Sequence, residues 1–199
     1  RVVMHPIINI CRNKSGKIIK IVKPNAENVD AISESFMQFQ LSEQPPSTLS
    51  SLKNDIERCV ADVSSVSEDK DLMHQKMCLR IKELSLKADA KAKDEQKEVL
   101  DFLNFLADKN FMYLGFREYM ISGSGRKAKV RLNQKSNLGL LRDSDRTVFE
   151  DYKNKNNFPP ETAEFLARQD LLIVTKTNNR SSVHRSVHMD AIGVKKLDK

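Results

Sequence analysis

The densest group of side chains that could bind a ligand follows an apolar segment of the sequence. Residues 171–174 are typical of a buried strand, and the polar run 175–185 comes directly after them. The candidate ligand-binding residues in this run are Lys176, Arg180, Ser182, His184 and Arg185. Arginine forks match planar anions, and hydroxyl groups satisfy the remaining acceptors, so these residue types point to a carboxylate or a phosphate. The alternative stays open that this is a polar loop whose Asn and Ser side chains hydrogen-bond their own backbone.

The histidines and cysteines point to no metal or nucleophilic site. His184 and His188 are four residues apart, but the surrounding pattern is that of a strand and no third ligand accompanies them. Cys11, Cys59 and Cys78 have no CxxC spacing and stand in apolar contexts, where cysteine acts as a small hydrophobic residue. We therefore predict no catalytic, cofactor-binding or metal residues, and a reducing, cytoplasmic location.

Two other patterns have simple structural interpretations. Carboxylate pairs such as Asp69 and Asp71 lie in charged helical stretches, so we expect them to face solvent. The run 123–125, Gly-Ser-Gly, is followed by neither the further glycine nor the Lys-Ser/Thr pair of a phosphate loop. It is predicted to be a hairpin turn.

The positive charge of the chain is concentrated in its C-terminal half. The formal net charge is +7, and six basic residues but no acidic one lie between Ser122 and Arg142. Arg126, Lys129 and Arg131 on a hairpin with Phe116 and Tyr119 would suit a nucleic-acid-binding face. We favour the commoner arrangement, in which those aromatic rings belong to the core of a half-buried sheet.

The N-terminal residues alternate in the manner of strands. Residues 2–11 and 17–22 flank a turn cluster that ends in Gly16, which predicts a hairpin, and residues 35–41 predict a third short strand. These are elements of a truncated α/β unit.

The middle of the chain has the apolar spacing of helices. The stripes predict helices over 47–63, 69–86 and 94–108, with Ser47 or Thr48 as the first N-cap. A charged segment, 87–97, separates the last two and is either solvated helix or a flexible link.

The C-terminal part returns to a period of two. Residues 111–121 and 128–132 predict a hairpin, Pro159 opens a short helix to about Arg168, and 171–175 and 187–196 predict strands. The predicted class is α+β, with three parts: a partial β unit at 1–44, a helical connector at 45–108 and an antiparallel α+β domain at 109–199.

Composition excludes a membrane protein. Hydrophobic residues make up 39% of the chain, charged residues 31%, and the mean hydropathy is −0.52. No apolar run approaches the ~18 residues of a spanning helix. The chain starts in a strand pattern without an initiator Met, so we expect a piece of a longer protein.

Two sequence blocks carry a family resemblance. They are Phe-x-Tyr-Leu-Gly-Phe-Arg-Glu-Tyr at 111–119 and Thr-Lys-x-Asn-x-Arg-Ser-x-Val-His-Arg at 175–185, supported by residues 1–8, 34–36, 138–142 and 192–196. In order and spacing they resemble the N-terminal region of the large bacterial NAD-specific glutamate dehydrogenases. The resemblance covers nearly the whole chain.

The resemblance implies a non-catalytic regulatory or architectural region of an oxidoreductase. The parent would convert glutamate and NAD to 2-oxoglutarate and ammonia, with the NAD site outside these residues and no cofactor in this region. Residues 1–44 would be the C-terminal part of an ACT-like unit and 109–199 a PAS-like domain. The implied partners are the rest of the parent chain, its other subunits in a homo-oligomer, and an amino-acid or 2-oxo-acid effector; a membrane is not among them.

Two other functions stay open. One is a basic nucleic-acid-binding module, which we rank below the regulatory region. The other is an oligomerisation scaffold built on the helices between Ser47 and Asp108.

Overall fold

The computed structural model describes residues 2–23, 30–86, 93–143, 146, 148, 158–168 and 170–196. The chain divides into two compact units, residues 1–53 and residues 54–199. The part of the chain described contains both α-helices and antiparallel strands, which confirms the predicted α+β class. The predicted boundaries after residues 44 and 108 stay predictions.

The first unit is built from short strands. They are β1 (Val2–Met4), β2 (Ile7–Arg12), β3 (Ile18–Val22), β4 (Ile32–Ser35) and β5 (Gln38–Phe39). β2 pairs antiparallel with both β3 and β4, and β1 pairs with β5.

The predicted N-terminal hairpin is confirmed as β2 and β3, but two predicted strands are interrupted. The run 2–11 breaks at His5 and Pro6, because proline has no N–H to give to a ladder. The predicted third strand, 35–41, is two separate pieces, the end of β4 and β5.

Local hydrogen bonds explain the turn between β2 and β3. The side-chain oxygen of Asn13 accepts hydrogen bonds from the backbone N–H groups of Ser15 (3.1 Å) and Lys17 (2.9 Å). Gly16 then takes a φ of +82°, which glycine adopts without steric cost. The strand after the turn therefore returns beside β2.

One helix dominates the chain between the strand-rich ends. α1 runs without interruption from Pro46 to Leu86, 41 residues, where the sequence predicted two helices. No glycine or proline follows Pro46 within this span, and the serines at 64, 65 and 67 are compatible with a helix. The predicted N-cap is also wrong, since the helix begins at Pro46 and the Thr48 hydroxyl donates to the Pro45 carbonyl at 2.8 Å.

The second long helix ends in an unusual turn. α2 spans Lys93–Phe105, and a π-helical turn, Leu106–Asn110, continues it. The predicted helix over 94–108 is therefore confirmed, with its last residues in the wider turn. Of the predicted connector, residues 87–92 lie outside the described residues.

The remaining elements form two hairpins and a short helix. They are β6 (Gly115–Ser122), β7 (Lys129–Gly139), α3 (Pro160–Leu166), β8 (Leu172–Arg180) and β9 (His188–Val194). β6 pairs antiparallel with β7, as predicted, and the two other predicted strands, β8 and β9, pair antiparallel with each other. In the part described, these are two separate two-stranded sheets, so the single PAS-like sheet stays a prediction.

The second unit buries its apolar side chains in separate clusters. One joins the C-terminal end of α1 to α2: Leu84, Val99, Leu103, Leu106 and Leu171. A second joins the middle of α1 to the hairpins: Val66, Met73, Leu140 and Val183. A third lies between β7 and α3: Ala128, Val130 and Ala163. α1 thus contributes to two of these three clusters of described residues.

Across the described residues, none of the helices combines the length and the hydrophobicity needed to cross a bilayer.

Candidate functional site

The predicted polar loop is shorter than its sequence suggested. β8 extends to Arg180, because Thr175, Lys176 and Arg180 pair with residues of β9. The connection between the two strands is therefore residues 181–187, which we call the 181–187 loop. The apolar run 171–174 marked only the start of the strand.

Backbone and hydroxyl hydrogen bonds hold the 181–187 loop in shape. The Ser181 hydroxyl donates to the Val183 carbonyl at 2.7 Å and accepts from the Val183 N–H at 3.0 Å. The N–H of Ser181 donates to the carbonyl of Val187, and that of Arg185 to the carbonyl of Val183, both at 2.9 Å. His184 takes a φ of +67° within this compact turn. Ser181 therefore follows the alternative interpretation, a polar loop in which side chains hydrogen-bond the backbone of their own loop.

The 181–187 loop is fastened to α1 by one apolar and one polar contact. Val183 is buried against the cluster that contains Val66 and Met73. The Ser182 hydroxyl donates to Asp62 Oδ2 at 2.5 Å, and Arg146 Nη2 lies 2.5 Å from the same oxygen. The Asp62 carboxylate therefore joins both the loop and Arg146 to the helix. It is largely buried, since Asp62 is only 9% exposed.

The five predicted site residues do not converge on one point. Lys176 lies on β8 and makes a cross-strand ion pair with Asp190 at 2.7 Å. Arg180 ends β8 and donates to the Ser186 carbonyl at 3.3 Å. Ser182 is bound by Asp62, as described above.

The other two, His184 and Arg185, are exposed in the 181–187 loop. Their side chains form no hydrogen bond or ion pair with any of the residues described. The exposed cations of the loop region are therefore Arg180 and Arg185, with the imidazole of His184 between them in sequence.

A second carboxylate of α1 holds the end of the other hairpin. Asp69 accepts two hydrogen bonds of 2.7 Å from Arg142 and one of 2.7 Å from the N–H of Gly139. Arg142 also reaches Glu68 at 2.8 Å. Asp69 is only 4% exposed, so the prediction that it faces solvent is wrong.

The pairing of Asp69 with Arg142 shifts the pKa of both groups. Burial alone would raise the pKa of Asp69, but the hydrogen bonds from Arg142 and Gly139, together with the charge of Arg142, hold that pKa below its usual value. The hydrogen bonds to Asp69 and Glu68 raise the pKa of Arg142. The carboxylate is thus ionised, as a structural anchor requires.

The basic residues and the aromatic rings of the β6–β7 hairpin lie on opposite faces. Tyr119 pairs with buried Leu132 and stacks edge-on against Phe158, at 5.6 Å between ring centroids. Arg131 pairs with Met120 on the exposed face, and Lys129 is exposed beside it. The mixed basic and aromatic face that nucleic acid would need is not formed by these residues.

The glycine run behaves as the sequence predicted. Gly123 and Gly125 take φ values of +78° and +53° in the turn between β6 and β7. A dinucleotide loop joins a strand to a helix, so this turn does not fit NAD.

The structure corrects the prediction for two of the three cysteines and places His184 and His188 in different elements. Cys11 is buried as expected, but Cys59 and Cys78 are exposed, which corrects their assignment to apolar surroundings. His184 lies in the loop and His188 in β9, and no cluster of three metal-ligating side chains occurs within the described residues.

Comparisons with known proteins show which enzymes this chain is similar to. Residues 1–56 match the family model "Glutamate dehydrogenase, ACT1 domain". The NAD-specific glutamate dehydrogenase of Pseudomonas aeruginosa is 24% identical over 202 residues, and that of Halomonas elongata is 20% identical over 194 residues. Each alignment covers 96% of this chain. The resemblance to NAD-specific glutamate dehydrogenases is confirmed.

The matches concern a small part of those enzymes. The chain spans 12% of the length of each glutamate dehydrogenase that it matches. Together with the ACT1 match, this supports the expectation of an N-terminal region of such an enzyme. No solved structure matches the chain.

Sequence reasoning missed the two carboxylates that bond the hairpins to α1. Asp62 and Asp69 are seven residues apart, which places them on the same side of α1 as buried Val66 and Met73. An acid in the apolar stripe of a helix is a signal for a buried partner. That signal was available in the sequence, but it does not identify Arg142, Arg146 or Ser182 as the partners.

Proposed function

We propose that this chain is a non-catalytic regulatory and architectural region of a cytoplasmic NAD-specific glutamate dehydrogenase. The parent enzyme would oxidise glutamate to 2-oxoglutarate and ammonia, using NAD bound elsewhere. The observation that carries the proposal is the similarity to two such enzymes along 96% of the chain. The ACT1 match at residues 1–56 supports a regulatory role for the first unit.

The 181–187 loop is the part of the second unit best suited to sense an anion. Arg180 and Arg185 are exposed, and a carboxylate can accept paired hydrogen bonds from each guanidinium. The loop is joined to α1 through Ser182 and Asp62. An amino acid or 2-oxo acid bound there would therefore act directly on a segment tied to the long helix.

The sensing role is tested by titrating the ¹⁵N-labelled 199-residue chain with L-glutamate and with 2-oxoglutarate. We expect saturable amide shifts in residues 181–187, lost in Arg185→Gln. Arg131→Gln is the matched control, since Arg131 is also an exposed arginine but lies in β7, on the other hairpin. Absence of loop shifts in the wild-type chain, or equal loss in both variants, would overturn the sensing role while leaving the family relationship intact.

An oligomerisation scaffold is the second candidate, and one observation favours it. Ile56, Val60 and Val63 lie at spacings of four and three on α1, and they are 37%, 46% and 49% exposed. Apolar side chains at this spacing form the seam of a helical pair, and a second copy of the same stripe is complementary to it. We propose that this stripe contacts its counterpart in another subunit.

Sedimentation velocity tests the scaffold. We expect a concentration-dependent dimer that Val60→Asp converts to a monomer, while Glu57→Gln on the same helix leaves it unchanged. A monomer at all concentrations up to the millimolar range would remove this candidate.

A further inference from the structure

An exposed aromatic ring and two carboxylates follow one side of α2. Phe105 is 51% exposed and meets Phe111, which is 48% exposed, edge-on at 5.8 Å between ring centroids. Asp101 and Glu98 precede Phe105 by four and seven residues, so the three side chains lie on one side of the helix. We call Glu98, Asp101 and Phe105 the Phe105 stripe.

The two carboxylates of the Phe105 stripe are not explained by the helix itself. Asp94 and Glu95 lie in the first turn of α2, where the helix dipole stabilises negative charge. Glu98 and Asp101 lie beyond that turn and are exposed, and their side chains form no ion pair with any of the described residues. Exposed apolar surface bordered by polar side chains is typical of a contact with another protein.

A surface of the opposite charge lies on the exposed face of the β6–β7 hairpin. Met120 pairs with Arg131, and Lys129 precedes Arg131 by two residues on β7, so these three side chains share a face. Met120 is 58% exposed. Within the described part of the chain, neither Lys129 nor Arg131 forms an ion pair. We call Met120, Lys129 and Arg131 the Met120 face.

The Met120 face and the Phe105 stripe are complementary in charge and in apolar content. Met120 and Arg131 lie directly opposite each other, which places their Cβ atoms about 5 Å apart. Asp101 and Phe105 are four residues apart on a helix, about 6 Å along its axis. One contact between two molecules can therefore join arginine to carboxylate and methionine to phenylalanine at the same time.

We propose that the Met120 face of one copy of this chain docks on the Phe105 stripe of a second copy. Both surfaces belong to the second unit and are exposed there, so neither covers the other within one copy. Charge favours a second copy as the occupant, because the charged side chains of one surface are all basic and those of the other all acidic. The contact uses none of the residues of the apolar stripe on α1.

Sedimentation velocity of the 199-residue chain carrying Val60→Asp tests this contact with the α1 stripe disabled. At about 20 mM NaCl we expect concentration-dependent association, which about 0.5 M NaCl removes because salt screens surface charge pairs. Arg131→Glu and Asp101→Lys should each raise the dissociation constant about tenfold or more. Lys14→Glu and Asp71→Lys change the net charge equally at exposed positions outside both surfaces, and should keep it within about twofold.

A mixture of the Arg131→Glu and Asp101→Lys chains shows whether these two residues meet. It combines an intact Met120 face with an intact Phe105 stripe, so the association lost in each variant should return. Met120→Ser removes apolar surface without changing charge and should weaken association about fivefold. Met112→Ser is its control, since Met112 is 56% exposed but lies outside both surfaces.

Three results would overturn the proposal: a monomer at low salt, a mixture that associates no more tightly than its components, or equal weakening by the control substitutions. Each of them would leave both the sensing role of the 181–187 loop and the α1 stripe untouched, because neither uses these two surfaces.

Discussion

Asp69 and Arg142 are joined by two parallel hydrogen bonds of 2.7 Å, although 73 positions separate them in the chain. The same carboxylate takes the N–H of Gly139, so one side chain of α1 holds both the end of β7 and the turn that follows it. Asp62 plays the equivalent role for the 181–187 loop, seven residues earlier on the helix. These two carboxylates supply polar contacts between the hairpins and α1, beside the apolar cluster that contains Val66 and Met73.

Asp69→Asn should destabilise the chain by about 2 kcal/mol. The change leaves the Arg142 guanidinium without its buried counter-charge, and Arg142 is partly exposed, which limits the cost. The free energy of unfolding from urea denaturation measures it. Asp71→Asn is the control on the same helix: Asp71 is exposed, and we expect a change within about 0.5 kcal/mol. A similar loss in both variants would contradict the anchoring role.

Acid should weaken the same anchor. The folded-state pKa of Asp69 lies below its unfolded value of about 3.9, so the folded chain binds fewer protons at this group. Its contribution to stability is complete above the unfolded pKa and is lost as the pH falls through the folded value. Urea midpoints between pH 7 and pH 3 should fall more steeply for the wild-type chain than for Asp69→Asn. Parallel curves would show that Asp69 has no such linkage.

Gly139→Ala should be far more damaging than Gly125→Ala. Gly139 has a φ of +58° and a ψ of −135°, and a Cβ there would press against the Leu114 carbonyl oxygen. Gly125 has a φ of +53° with open space around the Cβ position. We expect a loss of ~3 kcal/mol or more at Gly139 and about 1 kcal/mol at Gly125, measured by thermal unfolding. Equal losses would mean that backbone conformation alone, and not the contact with Leu114, sets the cost.

Asp62→Asn should loosen the 181–187 loop without unfolding the hairpin. The change removes the charge that holds Arg146 and weakens the acceptor of the Ser182 hydroxyl. We expect amide hydrogen exchange to rise about tenfold in residues 181–187 and to stay constant in β6 and β7. Ser182→Ala removes one bond only and should give a smaller increase. Unchanged exchange in both variants would show that Val183 alone holds the loop.

Local patterns predicted most of the elements and few of their contacts. The Asn13–Gly16 turn and the Pro160 helix start are set by residues within a few positions, so alternation and turn chemistry were enough to find them. The continuity of α1 was missed because the serines around Val66 interrupt the apolar stripe, while Val66 itself is buried against a hairpin far along the chain. Strand β8 was predicted too short because its polar half is held by pairing with β9.

The sequence predicted which residue types the candidate site contains, but not which partners they bind. The sequence located the cations of residues 176–185, but Lys176 is paired with Asp190 and Ser182 with Asp62. Which side chains form ion pairs and hydrogen bonds with one another depends on the register of β8 against β9 and on how the 181–187 loop packs against α1. Neither is encoded by neighbours in the sequence.

Four hydrogen bonds of α1 reach partners in reverse order of chain position, and this has a consequence for folding. Going from the C-terminal end of the helix toward its start, Leu84 meets Gln96, His74 meets Ala107, Asp69 meets Arg142 and Asp62 meets Ser182. The sequence separations grow from 12 to 33, 73 and 120 residues. During synthesis, α1 is therefore complete before any of these four contacts can form, and each contact becomes possible only when its later segment has been made. Of the four, the Asp62–Ser182 contact becomes possible last, on the order of ten seconds after Asp62 itself is made, so this part of the helix waits longest for its polar partner.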